Sequence, residues 1–270
     1  MEQLKFTLPS GAKLTAWLHT ANPEMPNEIC RKRPALLICP GGAYCMTSYR
    51  ENESVALAYL NMGLQVFVLE YSVEDQAKNK QAMEDLARSV RLVRANSDDW
   101  DVDPGKVLVM GFSAGGHLAA SLCVHWDDPE IAERVGAASA RELRPDGAIL
   151  CYPVITMGSF THEISKERVM RETKESEAYW SLETQVNEDT PPTFIWHTMD
   201  DDCVPVENSL FYISALRKAM VSCEAHLFRS GPHGASVCTK EVDSYSNANR
   251  IWVELTRNWL DEQFGPLGGC

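Results

Sequence analysis

Residues Val107 to Leu118 read VLVMGFSAGGHL. Four apolar residues, Val107 to Met110, run into Gly111-Phe112-Ser113-Ala114-Gly115, a GxSxG pattern, and a helix-like pattern resumes from His117 to His125. A short, wholly apolar run of this kind reads as a strand buried on both faces. A sharp turn from that strand into a helix would hold Ser113 at its apex. The serine backbone of such a turn is strained, and side chains two residues to either side would collide, so glycine is the residue type required at 111 and 115. The helix that follows would aim its first N–H groups and its dipole at the Ser113 oxygen. The plain alternative is a small-residue turn without chemistry.

Working outward, Ala35 to Cys39 is a second buried strand, stopped by Pro40-Gly41-Gly42. Leu64 to Leu69 is a third, after a helix over Val55 to Met62. Met83, Leu86, Val90 and Val93 recur at spacings of three and four, one apolar stripe on a helix that ends near Asn96. A turn is expected at Asp103-Pro104-Gly105, and a hairpin over Lys5 to Thr20 around Pro9-Ser10-Gly11. Downstream, Gly147 to Cys151, Thr193 to Trp196 and Ala225 to Phe228 read as short strands, with helices over Glu207 to Met220 and Asn247 to Gln263. Strands alternating with helices imply an α/β fold, its mostly parallel central sheet covered on both faces. The polar stretch from about Val154 to Thr190 breaks the rhythm and reads as a small cap over the C-terminal edge of the sheet. The length of 270 residues fits a single domain, 1–270, carrying that cap at about 154–190.

A serine hydroxyl is a weak nucleophile and needs a base. Of seven histidines, His233 lies in Ser230-Gly231-Pro232-His233-Gly234, a loop after the last predicted strand, where an imidazole can reach a side chain carried by another strand. His117 reads as a local packing residue and His197 as structural. His19, His125, His162 and His226 have no supporting context. The base needs a carboxylate to fix its tautomer. Asp200, Asp201 and Asp202 follow a strand, and the spacing to Val204-Pro205 favours Asp201, with Asp200 as the fallback. The order Ser…Asp…His along the chain is one in which this triad occurs. An oxyanion needs N–H donors. Ala114, directly after the serine, supplies one candidate, and the Gly41-Gly42 loop the other. Ala43, Tyr44 and Trp180 are candidate substrate contacts, and Arg50 and Glu51 a structural pair beneath the loop.

The formal net charge is −13, which disfavours nucleic acid and anionic membrane surfaces as partners. The nine cysteines are Cys30, Cys39, Cys45, Cys123, Cys151, Cys203, Cys223, Cys238 and Cys270. None has CxxC spacing, so no metal site is expected. No cofactor is implied. The polar opening MEQLKFTLPSG has no apolar core of a secretory signal. The expectation is a reduced, cytoplasmic protein whose partner is a small-molecule ester. The sequence carries no sign of oligomeric state.

The motifs together resemble a known group. They are Cys39 to Tyr44 (CPGGAY), Arg50-Glu51, Ser89 to Asn96 (SVRLVRAN), Val109 to Leu118, Asp189 to Thr198 (DTPPTFIWHT), Val204 to Leu210 (VPVENSL) and Gly231 to Gly234 (GPHG). Across roughly Ala35 to Leu260, they resemble bacterial carboxylesterases and acetyl esterases of the α/β-hydrolase superfamily, members of which are named xylanase-associated or sugar esterases. The resemblance implies Ser113, Asp201 and His233 as triad, Gly41, Gly42 and Ala114 around the oxyanion hole, and deacetylation of small acylated sugars or oligosaccharides. The chain departs from the pattern at Ala43, where a third glycine is usual, and at Pro40, where a histidine leads the loop. An arylformamidase, and a catalytically inactive binding protein on the same scaffold, are the alternative readings.

Overall fold

The computed structural model describes residues 1–20, 32–246 and 248–267. Eight strands form one sheet: β1 (Glu2–Thr7), β2 (Lys13–Leu18), β3 (Arg33–Cys39), β4 (Gln65–Glu70), β5 (Val102–Phe112), β6 (Gly147–Cys151), β7 (Thr193–Thr198) and β8 (Cys223–Phe228), in the order β1-β2-β4-β3-β5-β6-β7-β8. β1 pairs with β2, and β2 with β4, in antiparallel fashion; all other pairs are parallel. Among the described residues eight helices accompany them: α1 (Glu53–Leu60), α2 (Gln81–Ala95), α3 (Ala114–Val124), α4 (Pro129–Val135), α5 (Glu163–Val169), α6 (Glu177–Trp180), α7 (Glu207–Lys218) and α8 (Trp252–Phe264).

Strand side chains alternate between two buried faces. Leu37, Cys39, Phe67, Leu69, Val107 and Val109 share one core with Met83, Leu86, Val90 and Val93 of α2, Leu118 and Leu122 of α3, and Tyr212 and Leu216 of α7. Their chain neighbours Leu36, Ile38, Val66, Val68, Leu108 and Met110 point the other way, into a core with Val55 and Tyr59 of α1 and Trp252 and Trp259 of α8. The four residues of the α2 stripe are at most 1 % exposed, and each buried side chain of that size is worth about 1.5–3 kcal/mol.

Three local expectations need correction. β5 runs through Asp103-Pro104-Gly105 instead of turning there. The register against β3 jumps, with Arg33 opposite Val102 and Ala35 opposite Val107, so a bulge absorbs the proline and glycine. α3 begins at Ala114, three residues before the expected start. Gly115 and Gly116 lie inside the helix because a Cβ on Gly115 would stand 2.1 Å from the Cys39 carbonyl oxygen, and one on Gly116 2.7 Å from the Pro153 Cβ. The last helix begins at Trp252, after a single 3-10 turn over Asn249–Ile251; Asn247, Cys30 and Cys270 lie outside the described residues.

The stretch between β6 and β7 leans on α3 and α7. Leu182 N–H donates to the Ile155 carbonyl, and Asn208 Oδ1 of α7 accepts from the N–H groups of Ile155 and Thr156. The Trp180 ring lies 6.0 Å from that of His117, and Tyr179 stacks on His125 at 3.8 Å. No described helix is long and apolar enough to cross a membrane.

Candidate active site

Ser113 stands between β5 and α3 with φ 53° and ψ −118°. That backbone conformation costs on the order of 1–3 kcal/mol and persists only where the surroundings hold it. Three hydrogen bonds do so: Ser113 N–H donates to the Cys151 carbonyl, and the Ser113 carbonyl accepts from the His117 and Val154 N–H groups. A Cβ on Gly111 would lie 2.1 Å from the Gly115 carbonyl oxygen. Both glycines of the motif are therefore set by backbone contact.

The loops after β7 and β8 bring two more side chains to the serine. His233 Nε2 lies 2.9 Å from Ser113 Oγ, and His233 Nδ1 lies 2.7 Å from Asp201 Oδ2. The Asp201 side chain is 1 % exposed and that of His233 16 %, so the relay has a dry end and a wet end. Asp201 Oδ1 accepts from the N–H groups of Cys203 and Val204, both at 2.9 Å. Burial alone would raise the Asp201 pKa, but hydrogen bonds from His197 and His233, the charge of His233 and the Val204 N–H outweigh it and hold this carboxyl well below the usual carboxylate range.

Asp200 does different work. Its Oδ1 accepts from Gly231 N–H at 3.0 Å, which anchors the histidine loop. Asn249 Nδ2 donating to the Ser230 carbonyl and Thr198 Oγ1 donating to the Gly231 carbonyl add to that anchor. His197, wholly buried, faces Asp201 Oδ2 at 3.2 Å and the Val204 carbonyl at 3.0 Å through Nε2. Two acceptors at Nε2 require a proton there, and Nδ1 lies 2.7 Å from the Ser209 hydroxyl. The expected structural role of His197 thus takes a specific form: it braces the buried carboxylate from behind.

The loop after β3 is wound tightly. Gly42, Ala43 and Tyr44 follow one another with φ of 127°, 56° and 58°. The N–H groups of Gly42 and Ala114 have no acceptor among the described residues. Gly41, expected around the oxyanion hole, is different. Its N–H donates to Glu51 Oε2 at 2.7 Å and is not open to a substrate. The glycine is there for closeness, since a Cβ would stand 3.1 Å from Ser113 Cβ.

Two proposed substrate contacts also fail. Tyr44 is 1 % exposed, its hydroxyl on His117 Nδ1 at 2.9 Å, and Trp180 is 2 % exposed beneath the segment that carries it. Both are packing residues, because aromatic rings flanking a loop gain more from burial than from a solvent-facing site. Ala43 remains half-buried at the loop. Glu51 does not pair with Arg50: Arg50 turns outward to Asp243 at 3.9 Å, and Glu51, 2 % exposed, accepts from Gly41 N–H and from the Tyr152 hydroxyl at 2.7 Å. Tyr152, with φ 39°, sets its ring edge-on to His233 at 5.0 Å. Nothing in the local pattern singles out Tyr152; only its place at the end of an apolar strand hinted at it. His162 also stands in the field of this group. Burial and then the charge of His233 lower its pKa, with Asp201 opposing.

Against known proteins, the family model described as BD-FAE matches residues 24–216. A Butyrivibrio fibrisolvens protein named endo-1,4-beta-xylanase B is 42% identical over 235 residues, 83% of this chain and 36% of that protein. An acetylxylan esterase of Xylanibacter ruminicola is 31% identical over 239 residues, 85% of this chain and 46% of that protein. The chain therefore spans less than half the length of these two relatives. Among solved structures, an acetyl ester-xyloside bifunctional hydrolase from Caldicellulosiruptor lactoaceticus superposes with a TM-score of 0.82 at 34% identity, covering 96% of this chain and 90% of that one. The sheet and helices described above are an α/β-hydrolase fold.

Proposed function

The chain belongs to the BD-FAE family of α/β hydrolases, and from that premise we propose that it is a serine carboxylic ester hydrolase that deacetylates small acylated sugars or xylo-oligosaccharides. The observation that carries this reading is the unbroken chain Ser113 Oγ, His233 Nε2, His233 Nδ1, Asp201 Oδ2, with contacts of 2.9 and 2.7 Å. Serine and histidine at this separation form an activated nucleophile, and a buried carboxylate fixes the tautomer that leaves Nε2 free to accept a proton.

His233 Nε2 takes the Ser113 proton as Oγ attacks the ester carbonyl. The N–H groups of Ala114 and Gly42 donate hydrogen bonds to the carbonyl oxygen as negative charge develops on it. The alcohol leaves with the proton from His233. Water, deprotonated by the same imidazole, then attacks the acyl-serine and releases the acid. Every step moves a proton or an acyl group between these atoms and calls on no cofactor.

The acetylated-sugar substrate is favoured by the relatives, an acetylxylan esterase among them. The segment 154–190 is read as the cap that borders the site, with His162 in the electrostatic field of His233 and Asp201, on a single domain spanning 1–270. A cytoplasmic location is supported by the cysteines, all seven described ones being free thiols.

The test is hydrolysis of p-nitrophenyl acetate and of an acetylated xylo-oligosaccharide by the protein and by Ser113→Ala. Turnover should fall at least about 10³-fold in the variant. Retained turnover removes Ser113 from the nucleophile's role, and faster hydrolysis of N-formylkynurenine than of either ester would overturn the ester assignment.

A further inference from the structure

Glu51 is a buried carboxylate that the triad does not contain. It lies on a single 3-10 turn, Tyr49–Glu51, just after the oxyanion loop. Its Oε2 accepts from Gly41 N–H and its Oε1 from the Tyr152 hydroxyl, both at 2.7 Å. The Tyr152 oxygen in turn accepts from Ser236 N–H at 2.9 Å, three residues past His233. Ser236 Oγ donates back to the Arg50 carbonyl at 2.7 Å. One carboxylate thus links the loop after β3, the end of β6 and the loop that carries His233.

We propose that Glu51 is a positioning residue for this site: it ties the oxyanion loop, through Gly41, to the base-bearing loop, through Tyr152 and Ser236, and sets an anion where the imidazole becomes charged. The proposal rests on the reading of Ser113 and His233 as nucleophile and base.

The ionised form fits the geometry. Gly41 N–H and the Tyr152 hydroxyl both donate to it, and a protonated carboxyl would set its own hydrogen against donors. Burial raises the Glu51 pKa above its ordinary value, while those hydrogen bonds and the charge of His233 oppose the rise. The titratable groups facing Glu51 are Tyr71 after β4, Cys151 and Tyr152 at the end of β6, and His233. Burial raises the first three far above neutrality, so they stay uncharged. His233 is therefore the group that takes up charge opposite Glu51. By reciprocity, the carboxylate favours the imidazolium formed as Ser113 attacks.

The test uses Glu51→Gln, which keeps the shape and removes the charge, with p-nitrophenyl acetate as substrate. kcat should fall about 10- to 100-fold, as expected when donors and base lose their common register, while KM stays within about twofold. The acid limb of kcat/KM should move to lower pH, because the imidazolium of the free enzyme loses a favourable anion. A kcat within about twofold of the parent, or an acid limb that stays in place, overturns the proposal. If Glu51→Gln does not fold, Tyr152→Phe keeps the ring against His233 and cuts the link to Ser236. It should lower kcat about tenfold and leave the acid limb no lower than in the parent; full kcat overturns the proposal. Ser113→Ala separates the two readings. If it is inactive while Glu51→Gln is fully active, only the role of Glu51 fails. If Ser113→Ala remains active, both fail.

Discussion

Asp200 and Asp201 are adjacent and chemically identical, and the fold gives them separate tasks. Asp201 points inward to His233 Nδ1, and Asp200 holds the histidine loop through Gly231 N–H. Replacing Asp201 by Asn would offer His233 an amide in place of an anion and allow the wrong tautomer. kcat for p-nitrophenyl acetate should fall about 10³- to 10⁴-fold, with KM little changed. Asp200→Asn keeps an oxygen for Gly231 and should lose at most about tenfold. Equal losses in steady-state kinetics of the two variants would show the division of labour to be wrong. Ala43 makes a complementary point. A residue other than glycine is held there at φ 56°, so a departure from the usual glycine run leaves the winding of the loop intact.

Among the elements, α3 follows Ser113 directly. Its first turn passes so close to the end of β3 that a Cβ on Gly115 would meet two carbonyl oxygens, of Cys39 and Pro40, at 2.1 and 2.3 Å. Gly115→Ala should cost about 3 kcal/mol or more, read as a drop in the urea midpoint, and should lower activity in step because the loop after β3 must move. One turn on, His117 bolts the helix to its surroundings, with Nδ1 on the Tyr44 hydroxyl at 2.9 Å and Nε2 on the Trp180 carbonyl at 3.0 Å. Burial lowers its pKa to about 4, with the Trp180 carbonyl opposing. The unfolded chain takes up this proton near its ordinary value of about 6.5, and the folded protein does not until about 4. The unfolded state therefore binds more protons in that window, so stability falls as pH falls through it. The contribution of His117 to that loss reaches about 3 kcal/mol at the acid end. In urea titrations at pH 7 and pH 5, His117→Gln should show a smaller fall in midpoint than the parent; an equal fall would remove His117 as the cause.

On the scale of the whole molecule, the segment between β6 and β7 is held to the sheet's flank by a buried cation. Lys80, 4 % exposed, reaches Asp128 at 2.8 Å, Glu175 at 2.7 Å and Glu130 at 3.2 Å, and its ammonium lies 4.8 Å from the centre of the Tyr179 ring. Lys80→Met would strand the Asp128 carboxylate with only Tyr179 and backbone donors. The loss should be about 3–5 kcal/mol, measured by urea unfolding, and proteolysis should nick the 160–180 region first. Lys80, Asp128 with Glu130, and Glu175 with Tyr179 come from three separate stretches, and no short window of sequence shows that they meet. The same contrast runs through the site. Local periodicity and turn chemistry made the α2 stripe, the strand–Ser113–helix turn and the order Ser…Asp…His readable from the sequence alone. Each depends on residues a few positions apart, or on the order in which strands leave the sheet. Sheet packing decided the rest. Gly41 gives its N–H to Glu51 instead of a substrate, Tyr44 and Trp180 turn inward, and Glu51 meets Tyr152 across 101 residues. Such contacts are set by which strand ends the fold draws together, and no backbone preference within a short stretch encodes them.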